Sequence, residues 1–105
     1  MMRKQKYNVS VDPAANERML DHVRFLAQVS ISAAEKLYNI MVEAIAELEN
    51  NPEICPIYTI QNLVDAELRY KLCGKRYRMV FEIVKNNIYV YDIQDCRQDS
   101  DKNLV

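Results

Sequence analysis

The stretch Leu68 to Phe81, LRYKLCGKRYRMVF, sets five basic residues (Arg69, Lys71, Lys75, Arg76 and Arg78) among fourteen positions. A further arginine, Arg97, follows in the short segment DCRQD. Guanidinium and ammonium groups supply only donors and positive charge. The chemistry within their reach is therefore binding of carboxylates and phosphates, and stabilisation of negative charge as it develops in a reaction. The same residues also suit the wet side of a sheet, because an antiparallel sheet covered on one face needs a solvated other face. The charges alone leave both readings open.

Other reactive groups offer less. His22, the single histidine, lies inside a helical stretch and reads as a packing or surface residue rather than a general base. Asp12 reads as a helix cap, and Glu43, Glu47 and Glu49 as a solvated helix face. Cys55, Cys73 and Cys96 are odd in number, widely spaced and without a second Cys or His at ligand spacing, so free thiols are expected. There is no Gly-rich phosphate loop and no nucleophile motif. Neither a cofactor nor a metal is expected.

The elements that must position the cations follow from pattern. Tyr7, Val9 and Val11 alternate with polar residues, as in a half-buried strand. Asp12-Pro13 supplies a cap and a proline suited to the first helical position, and the apolar spacing predicts a helix from about Pro13 to Val29. Ser32 to Glu35 has the form of a capping box, and Ala34, Leu37, Tyr38, Met41, Ala44, Ile45 and Leu48 make an apolar stripe that stops at Asn50-Asn51-Pro52. Residues 53–66 read as an extended loop. Alternation then returns in three runs, Leu68 to Leu72, Arg76 to Lys85 and Ile88 to Arg97. The expected fold is α+β, an antiparallel helical hairpin packed on a mainly antiparallel four-stranded sheet in the order β-α-α-β-β-β.

At 105 residues, with 50% apolar and 28% charged positions, this is one soluble domain over residues 1–105 with a frayed tail at 99–105. No apolar run is long enough to cross a bilayer, and MMRKQKYNVS has no apolar signal region behind its positive charge, so a cytoplasmic chain without a membrane partner is expected. The net charge of −1 hides an asymmetry. Residues 66–98 hold seven Lys and Arg against four acids, whereas residues 1–65 hold six against nine. The positive half can attract an anionic partner.

A two-residue turn at Asn86-Asn87 would set Glu82 opposite Tyr91, Val80 opposite Ile93, Arg78 opposite Asp95 and Arg76 opposite Arg97. A turn on Gly74-Lys75 would set Lys71 opposite Arg78 and Arg69 opposite Val80. Arg69, Lys71, Arg78 and Arg97 would then converge on one face with Val80, Tyr89, Tyr91 and Ile93. Leu68, Tyr70, Leu72, Tyr77, Met79, Phe81, Ile83 and Val90 would form the core side. A three-residue loop at Gly74 would reverse the faces. Val80, Tyr91 and Ile93, apolar groups among cations, mark a docking surface.

The order strand, helical hairpin, three strands, with LRYKLCGKRYRMVFEI and then IYVYDIQDCRQD, resembles the RelE/ParE superfamily of toxins from type II toxin–antitoxin systems over roughly residues 6 to 99. The resemblance implies a growth-inhibiting toxin, of the kind used in plasmid stabilization, held in check by a cognate antitoxin. It leaves two targets open: mRNA on the ribosome, cut by RelE-like nucleases, and DNA gyrase, poisoned by ParE-like members. In the nuclease branch Arg69 and Lys71 would orient the phosphate, Arg78 would clamp the transition-state charge and Arg97 would be a second cation. Such nucleases commonly carry a tyrosine after the last arginine; RQDSDKNLV has none, which leaves Tyr89 or Tyr91 as substitutes. The helical hairpin looks more ParE-like. An antitoxin segment would cover Val80, Tyr91 and Ile93, and a second copy of the chain is the other candidate protein partner. The alternative is a non-toxic protein-binding module of the same fold.

Overall fold

The computed structural model describes residues 6–58 and 67–96. Arg97, the tail at 99–105 and most of the expected loop lie outside the described residues. The elements are β1 (Asn8–Val11), α1 (Pro13–Ala27), α2 (Ile31–Leu48), a 3₁₀ turn (Pro52–Ile54), β2 (Leu68–Cys73), β3 (Tyr77–Val84) and β4 (Asn87–Asp95). The sheet order is β1-β4-β3-β2, with β1 parallel to β4 and the other pairs antiparallel. This is the expected α+β architecture. Among the described residues no helix is long and apolar enough to cross a membrane.

Local chemistry sets the helix ends. The Asp12 carboxylate accepts from the Ala14 N–H at 2.8 Å, with Pro13 in the first turn where its missing donor costs nothing. α1 stops at Ala27, before the expected Val29, because the N–H groups of Val29 and Ser30 both return to the Leu26 carbonyl. Ser30, not Ser32, caps α2: its backbone is extended and its Oγ accepts from the Ala33 N–H at 3.1 Å. A hairpin this tight makes the helices antiparallel neighbours.

The hairpin buries one stripe against the sheet. Ala15 and Met19 of α1 and Leu37, Met41, Ala44 and Leu48 of α2 meet Cys73, Tyr77, Met79, Phe81, Ile88, Val90 and Ile93. Full burial of a side chain such as Phe81 or Ile88 contributes about 1.5–3 kcal/mol. Tyr38, expected in the stripe, is 43% exposed at its flank.

Three register features depart from expectation. First, Cys73 pairs with Tyr77, so the β2–β3 connection is the three-residue loop Gly74-Lys75-Arg76, with Gly74 at φ +67. That odd count reverses β2. Arg69, Lys71 and Cys73 pair with Phe81, Met79 and Tyr77 on the helix side, while Leu68, Tyr70 and Leu72 share the opposite, second face with Glu82, Val80 and Arg78. Second, Val84 pairs with Asn87, so the β3–β4 turn is Lys85-Asn86, with Lys85 at φ 58. Third, Val80 pairs with Asp92 and Phe81 with Val90, leaving Tyr91 as a bulge. The bulge switches the parity of β4. Tyr89 lies on the second face as expected, but beyond the bulge Asp92 and Gln94 take that face and Ile93 turns into the core, 1% exposed.

The described part of the 53–66 segment is not free of the sheet. Tyr58 donates its N–H to the Leu68 carbonyl at 2.7 Å, and Tyr70 donates to the Pro56 carbonyl at 3.0 Å. The start of the β2 edge, at Leu68 and Tyr70, is thereby paired, which satisfies backbone groups that would otherwise invite another strand.

Candidate functional site

The cations expected to converge are divided by the register. Arg69, on the helix side, donates from Nη1 to the Cys55 carbonyl at 2.7 Å and the Glu53 carbonyl at 3.2 Å, pinning the 3₁₀ turn against β2. Lys71, on the same side, pairs with Glu47 of α2 at 2.8 Å. Both cations sit at the sheet margin with their stems along the core, where charged heads still reach polar partners.

Arg78 alone of the described three occupies the second face, and its guanidinium is held by structural partners. Nε and Nη2 donate to Gln94 Oε1 at 3.0 and 2.8 Å, and the group lies 5.0 Å from the Tyr58 ring and 5.7 Å from the Tyr70 ring. The Tyr58 hydroxyl donates to the same Gln94 oxygen at 3.2 Å. Gln94 Nε2 in turn donates to Asp92 Oδ2 at 3.1 Å, and Asp92 Oδ1 accepts from Arg18 Nη1 of α1 at 2.8 Å. The resulting chain, Arg18–Asp92–Gln94–Arg78 with two tyrosines, ties α1, β4, β3 and the segment before β2 together. Tyr58, Gln94, Asp92 and Arg18 escaped the sequence reading, because only the bulge puts Asp92 and Gln94 on Arg78's face.

Of the three expected docking residues, Tyr91 stays exposed on the second face, where its hydroxyl donates to Glu82 Oε1 at 2.7 Å. The carboxylate holds that proton and pushes the Tyr91 hydroxyl above its ordinary value. Val80 is on the same face but 3% exposed, and Ile93 is in the core, so neither offers its side chain directly to a partner. Among the described residues the second face is therefore aromatic and mixed in sign: Tyr58, Tyr70, Tyr89 and Tyr91 with Arg78, Glu82, Asp92 and Gln94. Recognition by aromatic and amide groups suits it better than anion capture.

The remaining candidates are structural. His22 Nε2 donates to the Ile93 carbonyl at 2.9 Å and its ring sits 5.0 Å from Tyr77, so the histidine closes the edge of β4 beyond the end of β1. The three thiols are free, and burial pushes Cys73 up to about 11 and Cys55 upward. A thiol held protonated in this way is a poor nucleophile. Among the described residues no group of three or more His, Cys, Asp and Glu converges as a metal site.

Over residues 9–100 the chain matches the family model of the ParE toxin of type II toxin-antitoxin system, parDE. No curated protein matches it.

Proposed function

The chain belongs to the ParE toxin family and is the toxin of a type II toxin–antitoxin pair, with a cognate antitoxin as its partner; from that premise we propose that it poisons DNA gyrase by binding it through the second face of the sheet, without cutting RNA. The observation that carries this reading is the β2–β3 register. A phosphate clamp of the RelE type needs several cations on one face, and Arg69 and Lys71 lie on the helix side, each held by a partner of its own. Arg78 is bound by Gln94 and two rings. What the second face offers a protein target is exposed tyrosine, the residue type that most often anchors protein interfaces.

The test is expression of the chain with both nucleic acids assayed in the same cells. Broken chromosomal DNA with intact mRNA is the expected outcome; mRNA cut on ribosomes with intact DNA overturns the proposal. Tyr89→Ala with Tyr91→Ala should relieve growth arrest at equal expression, because both side chains are exposed and their removal leaves the core alone.

A further inference from the structure

A groove of about 210 Å³ opens between the helical hairpin and the tip of the β2–β3 hairpin. Leu26, Leu37, Ile40 and Tyr77 supply apolar walls, and Lys36, Lys75 and Arg76 stand around it. Among the described residues no acidic side chain lines it. Of the other described cations, Lys6, Arg18, Arg24, Arg69 and Lys71 make ion pairs and Arg78 is held by Gln94, whereas Lys85 stands by itself at the far β3–β4 turn. Lys36, Lys75 and Arg76 make no ion pair among the described residues. Arg76 carries a second anomaly. Its Nε is buried without a hydrogen-bond partner among the described residues, while the guanidinium lies 5.7 Å from the Tyr77 ring. A buried donor left unbonded is costly, and a partner whose arrival turns the side chain enough to reach it recovers that cost, which an ordinary surface arginine does not offer.

We propose that this groove receives an acidic segment of the antitoxin, with one apolar side chain between Leu26, Leu37, Ile40 and Tyr77 and a neighbouring Asp or Glu carboxylate on Arg76 and the two lysines. The assignment rests on the family reading, which supplies the antitoxin, and it places that partner away from the tyrosine face. The volume holds a single leucine-sized side chain and not a whole helix. The apolar walls select a peptide over a nucleic acid backbone, whose phosphates and sugars have nothing to bury between Leu37 and Ile40. Unpaired rim charge also steers encounter, so association should be fast and sensitive to salt.

The experiment titrates the cognate antitoxin into wild type, Arg76→Ala and the double variant Lys36→Glu with Lys75→Glu, at two salt concentrations, with a short DNA duplex as a parallel probe. Expected are a Kd at least about tenfold weaker for both variants and a flattened salt dependence in the double variant. The double variant guards against a folding artefact, since Lys36 and Lys75 are exposed, and its melting temperature should match wild type. In cells it should still arrest growth and no longer be rescued by the antitoxin. Antitoxin affinity within twofold of wild type in both variants overturns the assignment, as does loss of duplex binding with antitoxin affinity unchanged, which would make the groove a nucleic acid site. Failure of wild type itself to bind the antitoxin would strike at the pairing and take the groove with it.

Discussion

Replacing Arg78 by alanine removes two donors from Gln94 Oε1, at 3.0 and 2.8 Å, and a cation from between the Tyr58 and Tyr70 rings. Hydrogen bonds that involve a charged group contribute about 1.5–3 kcal/mol, and an arginine over an aromatic ring about 0.5–1 kcal/mol. Gln94 is half-buried and keeps the Tyr58 hydroxyl, so part of the loss is recovered through that bond and water. A net destabilisation of about 2–3 kcal/mol follows, or a melting temperature lower by roughly 10–20 °C in a domain of this size. Urea denaturation of wild type, Arg78→Ala, Gln94→Ala and the double variant measures it, and the cycle should return a coupling of about 1–2 kcal/mol. A loss below about 0.5 kcal/mol, the figure for an ordinary surface cation, would refute the reasoning and return Arg78 to the list of groups available for chemistry. The result also bears on any toxicity assay, since a destabilised variant loses activity through abundance alone.

Other consequences are as concrete. Ile93→Glu puts a carboxylate among Met79, Phe81 and Val90 and should prevent cooperative folding, whereas Tyr91→Glu, two positions away on the exposed bulge, should leave the melting temperature within a few degrees. Gly74→Ala should cost about 1 kcal/mol in denaturant titration. The added methyl would have room, with Ile40 atoms at 3.9 Å, so the cost is the positive φ alone. Burial raises the Cys73 thiol from 9.0 to about 11, so between those values the unfolded chain has released a proton that the folded chain keeps. The Cys73 contribution should therefore be constant below pH 9 and be lost as pH rises from 9 toward 11, and Cys73→Ala should make the alkaline fall shallower in melting curves taken from pH 8 to 11. Arg69→Ala should open the Pro52–Ile54 turn and make the following segment a faster site for limited proteolysis.

Helices, strand order of appearance and fold class were legible because each has a local cause. Asp12-Pro13 starts α1, the stripe from Ala34 to Leu48 defines the buried side of α2, and alternation marks β3 and β4. The faces of the sheet were less so. LRYKLC carries apolar residues at both parities, Leu68, Tyr70 and Leu72 on one and Cys73 on the other, and only the length of the Gly74 loop decides which side meets the helices. A single residue more in that loop sends Arg69 and Lys71 across the sheet. The Tyr91 bulge is invisible for a similar reason: nothing in IYVYDIQD distinguishes Tyr91 from Tyr89, yet one extra residue there buries Ile93 and brings Asp92 and Gln94 beside Arg78. Pattern reports the period of a strand and leaves its phase to the turns. The basic groove was hidden for another reason, since Lys36 comes from α2 and meets Lys75 and Arg76 only after the hairpin docks.

The central claim, a toxin that acts by binding and not by cutting RNA, is tested most directly with purified components. The protein is mixed with DNA gyrase and supercoiled plasmid in one reaction, and with translating ribosomes carrying a defined mRNA in another. The account predicts linear plasmid with gyrase trapped on its ends in the first, full-length mRNA in the second, and loss of the first effect in the Tyr89→Ala, Tyr91→Ala variant. Cleaved mRNA on the ribosome together with untouched plasmid would contradict it.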